Sequence, residues 1–198
     1  MVAIPGRVLQ KPKLRTGGLA ELNLPALADQ LQMLWLGFDA VAKQVKLGRA
    51  QLARRAKDMP IVSAWQELPG VGPIRAITFY AYVDTPWRYR SPKAICKYCG
   101  VGLLRTTSGT DRRGRPNVGQ VRMPWACNRR LKAVAMGMAI SAIGQGKNRF
   151  ADWYGRQVRH GVAPANAWHN VARKMVTVLW AMWKSDSRFD ERLIGGQG

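Results

Sequence analysis

LPGVGPIRAITFYAYV, residues 68–83, is the stretch whose reading decides the fold. Gly70 and Gly72 alternate with apolar residues, and Pro73 follows at once. Glycine tolerates positive φ, so the pair permits a tight turn whose backbone N–H groups stand open. Pro73 suits the first turn of a helix, where its missing N–H costs nothing. The preceding Ile61–Glu67 has the length of a short helix, and Ile74–Val83 continues as a second one. Helix, turn and helix in this order read as a helix-hairpin-helix, which holds a nucleic-acid phosphate at the turn and the following helix N-terminus. An ordinary helix–turn–helix connection with no ligand fits the same six residues.

The charge of the chain bears on that choice. Among 198 residues, 32 Lys and Arg stand against 11 Asp and Glu, a formal net charge of +21. Such a surface repels itself unless a polyanion neutralises it, so nucleic acid is the expected partner. The cations run from Arg7 to Arg192 and form no single amphipathic face, which argues against a membrane surface. A hydrophobic fraction of 47% with eight Trp indicates a true core. The apolar runs near residues 133–143 and 175–183 are too short to span a bilayer, and no signal-peptide pattern opens the chain. Three cysteines, an odd number, point to a reducing compartment, hence a cytoplasmic, nucleoid-associated location. Cys96 and Cys99 form a CxxC, but with only Cys127 and two histidines to complete a site they read better as core residues on a helix than as zinc ligands.

Working outward, residues 1–26 carry Lys11, Lys13 and Arg15 among prolines and glycines and read as a flexible basic arm. From Leu27 the pattern changes. Leu27, Leu31, Leu34, Phe38, Val41, Val45, Gly48 and Leu52 alternate steps of four and three, the seam of a coiled coil. A coiled-coil helix over 27–58 is expected to associate with a second copy through 27–52, and Pro60 should end it. After the hairpin, Ser91-Pro92 caps a helix over 93–100. Residues 102–120 form an extended basic loop or small hairpin, and helices follow over 128–142 and 149–160. Pro164 opens a long amphipathic helix on which Trp168, Val171, Met175, Val178, Leu179 and Met182 share a face. Residues 194–198 are a tail. The fold class is therefore mainly α: a coiled-coil helix followed by a compact helical domain (59–193) with a helix-hairpin-helix and a basic serine-containing loop.

Within that loop Ser108 lies in TTSGT, with Arg105, Arg112, Arg113 and Arg115 nearby. A serine attacking phosphate needs cations around the phosphoryl oxygens, and arginine supplies bidentate contacts to them. Plain phosphate binding or a turn is the simpler reading of the same residues. The carboxylates are scattered singly, so no metal centre is visible in this chain.

Taken together, the LPGVGP hairpin (68–73), the glycine–leucine turn Gly102–Leu103, the Ser108–Gly109 pair, Asn128–Leu131 and the Ala172–Lys174 run resemble the C-terminal domain of the DEDD transposases of the insertion sequence one-ten type, understood as bridge-RNA-guided serine recombinases. The resemblance implies that Ser108 is a nucleophile joining DNA. Gly70, Gly72, Arg75, Arg105, Arg112, Arg113, Arg115, Arg129, Arg130, Arg173 and Lys174 are the expected nucleic-acid contacts. DNA and a structured guide RNA are the implied partners. The family's acidic RuvC-like domain is expected to lie outside this chain, so Mg²⁺ is expected only with that partner domain and no cofactor in the chain itself. Residues 121–127 depart from the family pattern, with MPWAC where a glycine is expected before Asn128. Two functions follow: a transposase or recombinase domain supplying Ser108 to a composite site, or a non-catalytic nucleic-acid-binding module derived from a truncated transposase.

Overall fold

A computed structural model of the chain describes residues 15, 25–105, 113–114 and 121–194. The chain divides into two compact units, 1–51 and 52–198.

Helix α1 (Pro25–Lys57), all but its last turns in the first unit, is one continuous helix that opens on proline and ends on Arg54, Arg55 and Lys57, cations that complement the negative helix end. Its seam residues face solvent: Leu34 is 69% and Val41 58% exposed. A second row, Met33, Leu36 and Leu47, is exposed as well, though the heptad reading left it out. Arg15 corrects the picture of an unattached arm at that residue. It is buried, its guanidinium lies over the Trp35 and Phe38 rings, and it donates to both Asp39 carboxylate oxygens at 2.7 and 2.9 Å.

The second unit packs around its last long helix. In chain order it comprises α2 (Pro60–Trp65), α3 (Pro73–Val83), a 3-10 turn (Pro86–Arg88) and α4 (Pro92–Tyr98). Two-residue strands follow, β1 (Leu104–Arg105) and β2 (Val121–Arg122), then α5 (Arg129–Gln145), α6 (Arg149–Arg159), α7 (Pro164–Ser185) and a 3-10 turn (Glu191–Ile194). The helix starts have local causes. The Ser91 hydroxyl accepts from the Ala94 N–H, and Asn128 Oδ1 accepts from the Leu131 N–H. Asn148 Oδ1 accepts from the Phe150 and Ala151 N–H groups, while its amide donates to the Ala142 and Gly146 carbonyls. One side chain thereby closes α5 and opens α6.

Helix α7 packs against α2, α4, α5 and α6. Its buried face includes Val171, Met175, Val178, Leu179 and Met182, as the spacing predicts. Trp168 departs from that expectation: it is 38% exposed and stacks on Tyr154, ring centroids 6.4 Å apart. At the other end Trp65 is fully buried among Phe79, Tyr80 and Trp183, and its indole N–H donates to the Leu179 carbonyl at 3.1 Å. Cys96 and Cys99 are buried, and burial pushes both thiols up, which keeps them protonated and unreactive.

Candidate nucleic-acid interface

The two glycines of the hairpin do different work. Gly70 has φ +80, and a Cβ there would fall 2.4 Å from the Met138 carbonyl oxygen and 2.6 Å from the Ala142 nitrogen of α5. Only glycine allows the turn to touch that helix backbone. Gly72 instead has ordinary extended backbone, φ −86 and ψ 167, as the residue before α3. A Cβ there would meet nothing within 4 Å. Gly70 is thus fixed by packing against the protein itself, whereas Gly72 leaves space on its outer side.

Arg75 turns inward. It donates to the Gly70 carbonyl at 3.0 Å and to the Ser141 hydroxyl at 2.9 Å, passing over Gly137. These two bonds from its NH1 group make Arg75 a strut that holds the turn on α5. Beside it lies an open cavity of about 540 Å³ lined by Glu67, Gly70, Gly72, Arg75, Lys147 and Glu191 among others. Two carboxylates there weaken the attraction for an anion, although Glu67 is within 3.7 Å of the Arg188 guanidinium.

Arg173 is also committed. Its Nε donates to the Val101 carbonyl and its NH1 to Asn170 Oδ1, both at 2.9 Å, and burial lowers its pKa. It ties α7 to the segment that runs through Gly102 and Leu103 into β1. Two cavities of about 500 and 510 Å³ meet at Leu103 and Arg173. Gly102 is required here for close approach, since a Cβ would lie 2.7 Å from the Lys97 nitrogen. Lys174 is half-buried on the same helix.

Strand β1 pairs antiparallel with β2, Leu104 opposite Arg122 and Arg105 opposite Val121, so a two-rung stem carries the segment between them. Ser108, Arg112 and Arg115 lie outside the described residues. Arg113 is an exposed turn residue, Arg122 is exposed on the stem itself, and Arg129 and Arg130 are exposed at the start of α5. Residues 112–151 hold nine Lys and Arg and no carboxylate. The structure does not gather every candidate at one point. Arg129 precedes Met138, the contact of Gly70, by nine residues, which is about 14 Å along an α-helix. Hairpin and stem therefore lie toward opposite ends of α5. Sequence reasoning missed Trp125, which is 91% exposed between Arg122 and Arg129; a tryptophan set among turn residues and flanked by arginines was the available signal.

A two-metal centre needs several converging carboxylates. Among the described residues no group of three His, Cys, Asp or Glu is placed to hold an ion, so no step through a metal is derived from them. No described helix is long and apolar enough to cross a membrane.

A helical domain with a glycine-containing turn packed on α5 and a two-rung stem before that helix's other end is thus in place. Residues 63–155, from α2 into α6, match the family described as Transposase IS116/IS110/IS902. The chain is 25% identical over 179 residues to the insertion element IS110 43.6 kDa protein of Streptomyces coelicolor, covering 90% of this chain and 41% of that protein. It is 29% identical over 125 residues to the insertion element IS116 44.8 kDa protein of Streptomyces clavuligerus, covering 63% of this chain and 29% of that one. The chain thus spans less than half the length of these relatives. Together these matches are a similarity of this region to insertion-element proteins. The hub helix α7 lies beyond the span matched by the family model.

Proposed function

We propose that this chain takes part in the transposition of an insertion element as the part of the recombinase that grips DNA and supplies Ser108. The observation that carries the reading is the coincidence of the transposase-family span, 63–155, with the carboxylate-free basic stretch 112–151. Its exposed arginines would neutralise phosphates along the backbone, while Arg75 and Arg173 keep the hairpin and the stem in place. In the catalytic form, Ser108 Oγ attacks a DNA phosphorus. The new O–P bond replaces one P–O bond to deoxyribose, the serine proton leaves to a base, and the displaced oxygen takes a proton. Nearby arginines stabilise the added negative charge. A structured guide RNA and self-association through 27–52 belong to the same proposal, the latter supported by the exposed apolar rows of α1.

Binding is tested by titrating duplex DNA across salt concentrations. The log–log slope should correspond to at least about six neutralised phosphates, and a nearly flat slope would remove the proposal. Gly72→Val should fold normally and bind DNA more weakly. Chemistry is tested by assembling the chain with an acidic RuvC-like domain, its metal ions and a guide RNA. A covalent DNA adduct that Ser108→Ala abolishes supports the recombinase. Salt-dependent binding with no adduct in that assembly leaves the chain a binding module.

A further inference from the structure

We propose that Trp125, three residues after the β1–β2 stem, is a stacking platform for one unpaired nucleobase; this rests on the nucleic-acid reading above. The indole is 91% exposed, yet it is not on a loose segment. Pro124 before it is buried. Three residues later the Asn128 N–H donates to the Tyr98 carbonyl at 2.9 Å, and its side chain caps α5 at Leu131 and reaches the Tyr98 hydroxyl at 3.4 Å. The loop is anchored on both sides, so the ring is held outward at little further entropic cost on binding.

Charge complementarity selects the occupant. Trp125 stands between exposed Arg122 of β2 and exposed Arg129 and Arg130 of α5, inside a stretch with no carboxylate from 112 to 151. An apolar protein surface would gain nothing from those guanidinium groups. A nucleic-acid strand satisfies both features, with phosphates on the arginines and a base on the ring. The base has to be unpaired, because inside a duplex both faces of each base are already covered by its neighbours. The position suits a strand that is opened or presented single-stranded next to the stem β1–β2. DNA and RNA bases offer the same π face, so the ring itself does not choose between them.

The test uses the full chain with labelled twelve-nucleotide oligothymidine, oligouridine and a blunt DNA duplex of equal length, read by fluorescence anisotropy at one salt concentration. Trp125→Ala should weaken single-strand binding about tenfold and Trp125→Phe much less, with duplex affinity unchanged within about twofold, given the usual strength of base–aromatic stacking. A loss on oligothymidine alone or oligouridine alone also supports the platform and assigns its source. Equal losses on duplex and single strands, or none on either, overturn it. So does a change in self-association, by light scattering, with no change in single-strand affinity, since the ring would then be a protein contact. Steep salt-dependent duplex binding that persists while Trp125→Ala has no effect sinks this inference alone; absent binding of any strand sinks the underlying reading too. Circular dichroism melts of both variants should match the unaltered chain, because the exposed ring supports no core contact.

Discussion

Helices α1 and α7 carry the same kind of sequence pattern and meet opposite fates. Both open on proline, and both set apolar residues at steps of three and four. On α7 that face is buried against four neighbouring helices, with Val171, Met175 and Leu179 fully enclosed. On α1 the seam stands in solvent, and a second apolar row does too. Periodicity thus declares a helix and the face it would bury; it does not say whether the cover comes from the same chain.

Leu179→Ala should give the largest effect, a loss of about 2–5 kcal/mol in chemical denaturation, because it opens a cavity among packed helices. Leu34→Ala on α1 should change monomer stability by less than about 0.5 kcal/mol. If it costs as much as Leu179→Ala, the α1 seam is covered in solution and the contrast collapses.

The glycines sharpen the same contrast with opposite signs. Gly70→Ala should destabilise by at least about 2 kcal/mol, since it meets both a positive φ and the α5 backbone. Gly37→Ala and Gly48→Ala have open space around them and should each stabilise by about 0.5–1 kcal/mol. Thermal melts of the three variants decide the matter, and a destabilising Gly48→Ala would reveal a close neighbour along the seam.

Replacing Leu31 and Val45 together by Glu should leave the second unit's melting unaltered and lower the oligomeric state, because charge would be buried in any paired seam. Sedimentation that finds a monomer already in the unaltered chain would leave α1's apolar rows to some other cover.

The smallest effect belongs to Asp39. Its hydrogen bond from Arg15 holds the carboxyl below its ordinary value. A depressed folded pKa contributes stability that is present above the unfolded value and lost as pH falls through the folded one. An NMR titration should therefore find Asp39 ionised to lower pH than a free carboxylate, and Arg15→Met should return its midpoint to the ordinary range. An unshifted midpoint in the unaltered chain would show that Arg15 does not hold this place in solution.

Much of the fold was legible because its signals are local. Ser91 and Asn128 act as caps where they stand, Pro164 opens α7, and the last helix buries the face its spacing names. The site was less legible because its decisive contacts are distant in sequence. Arg75 reads as one more cation until Gly137 and Ser141, more than sixty residues on, are seen to make room for it. Arg173 looks exposed in a basic run, yet its guanidinium is fastened to the Val101 carbonyl. Gly70 and Gly72 are equivalent in the hairpin pattern, and only the approach of α5 separates them. Small residues one turn apart on α5, Gly137 and Ser141, were the sequence sign that something would lie against it.

The bond from the Trp65 indole to the Leu179 carbonyl has a mechanical consequence. Trp65 ends the helix that enters the hairpin, and Leu179 sits inside the helix on which the second unit is assembled. The hairpin is pressed on α5 through Gly70 and riveted to α7 through Trp65, so it has no slack of its own. A force applied there would pass straight to the C-terminal helix and would not be absorbed by a yielding turn.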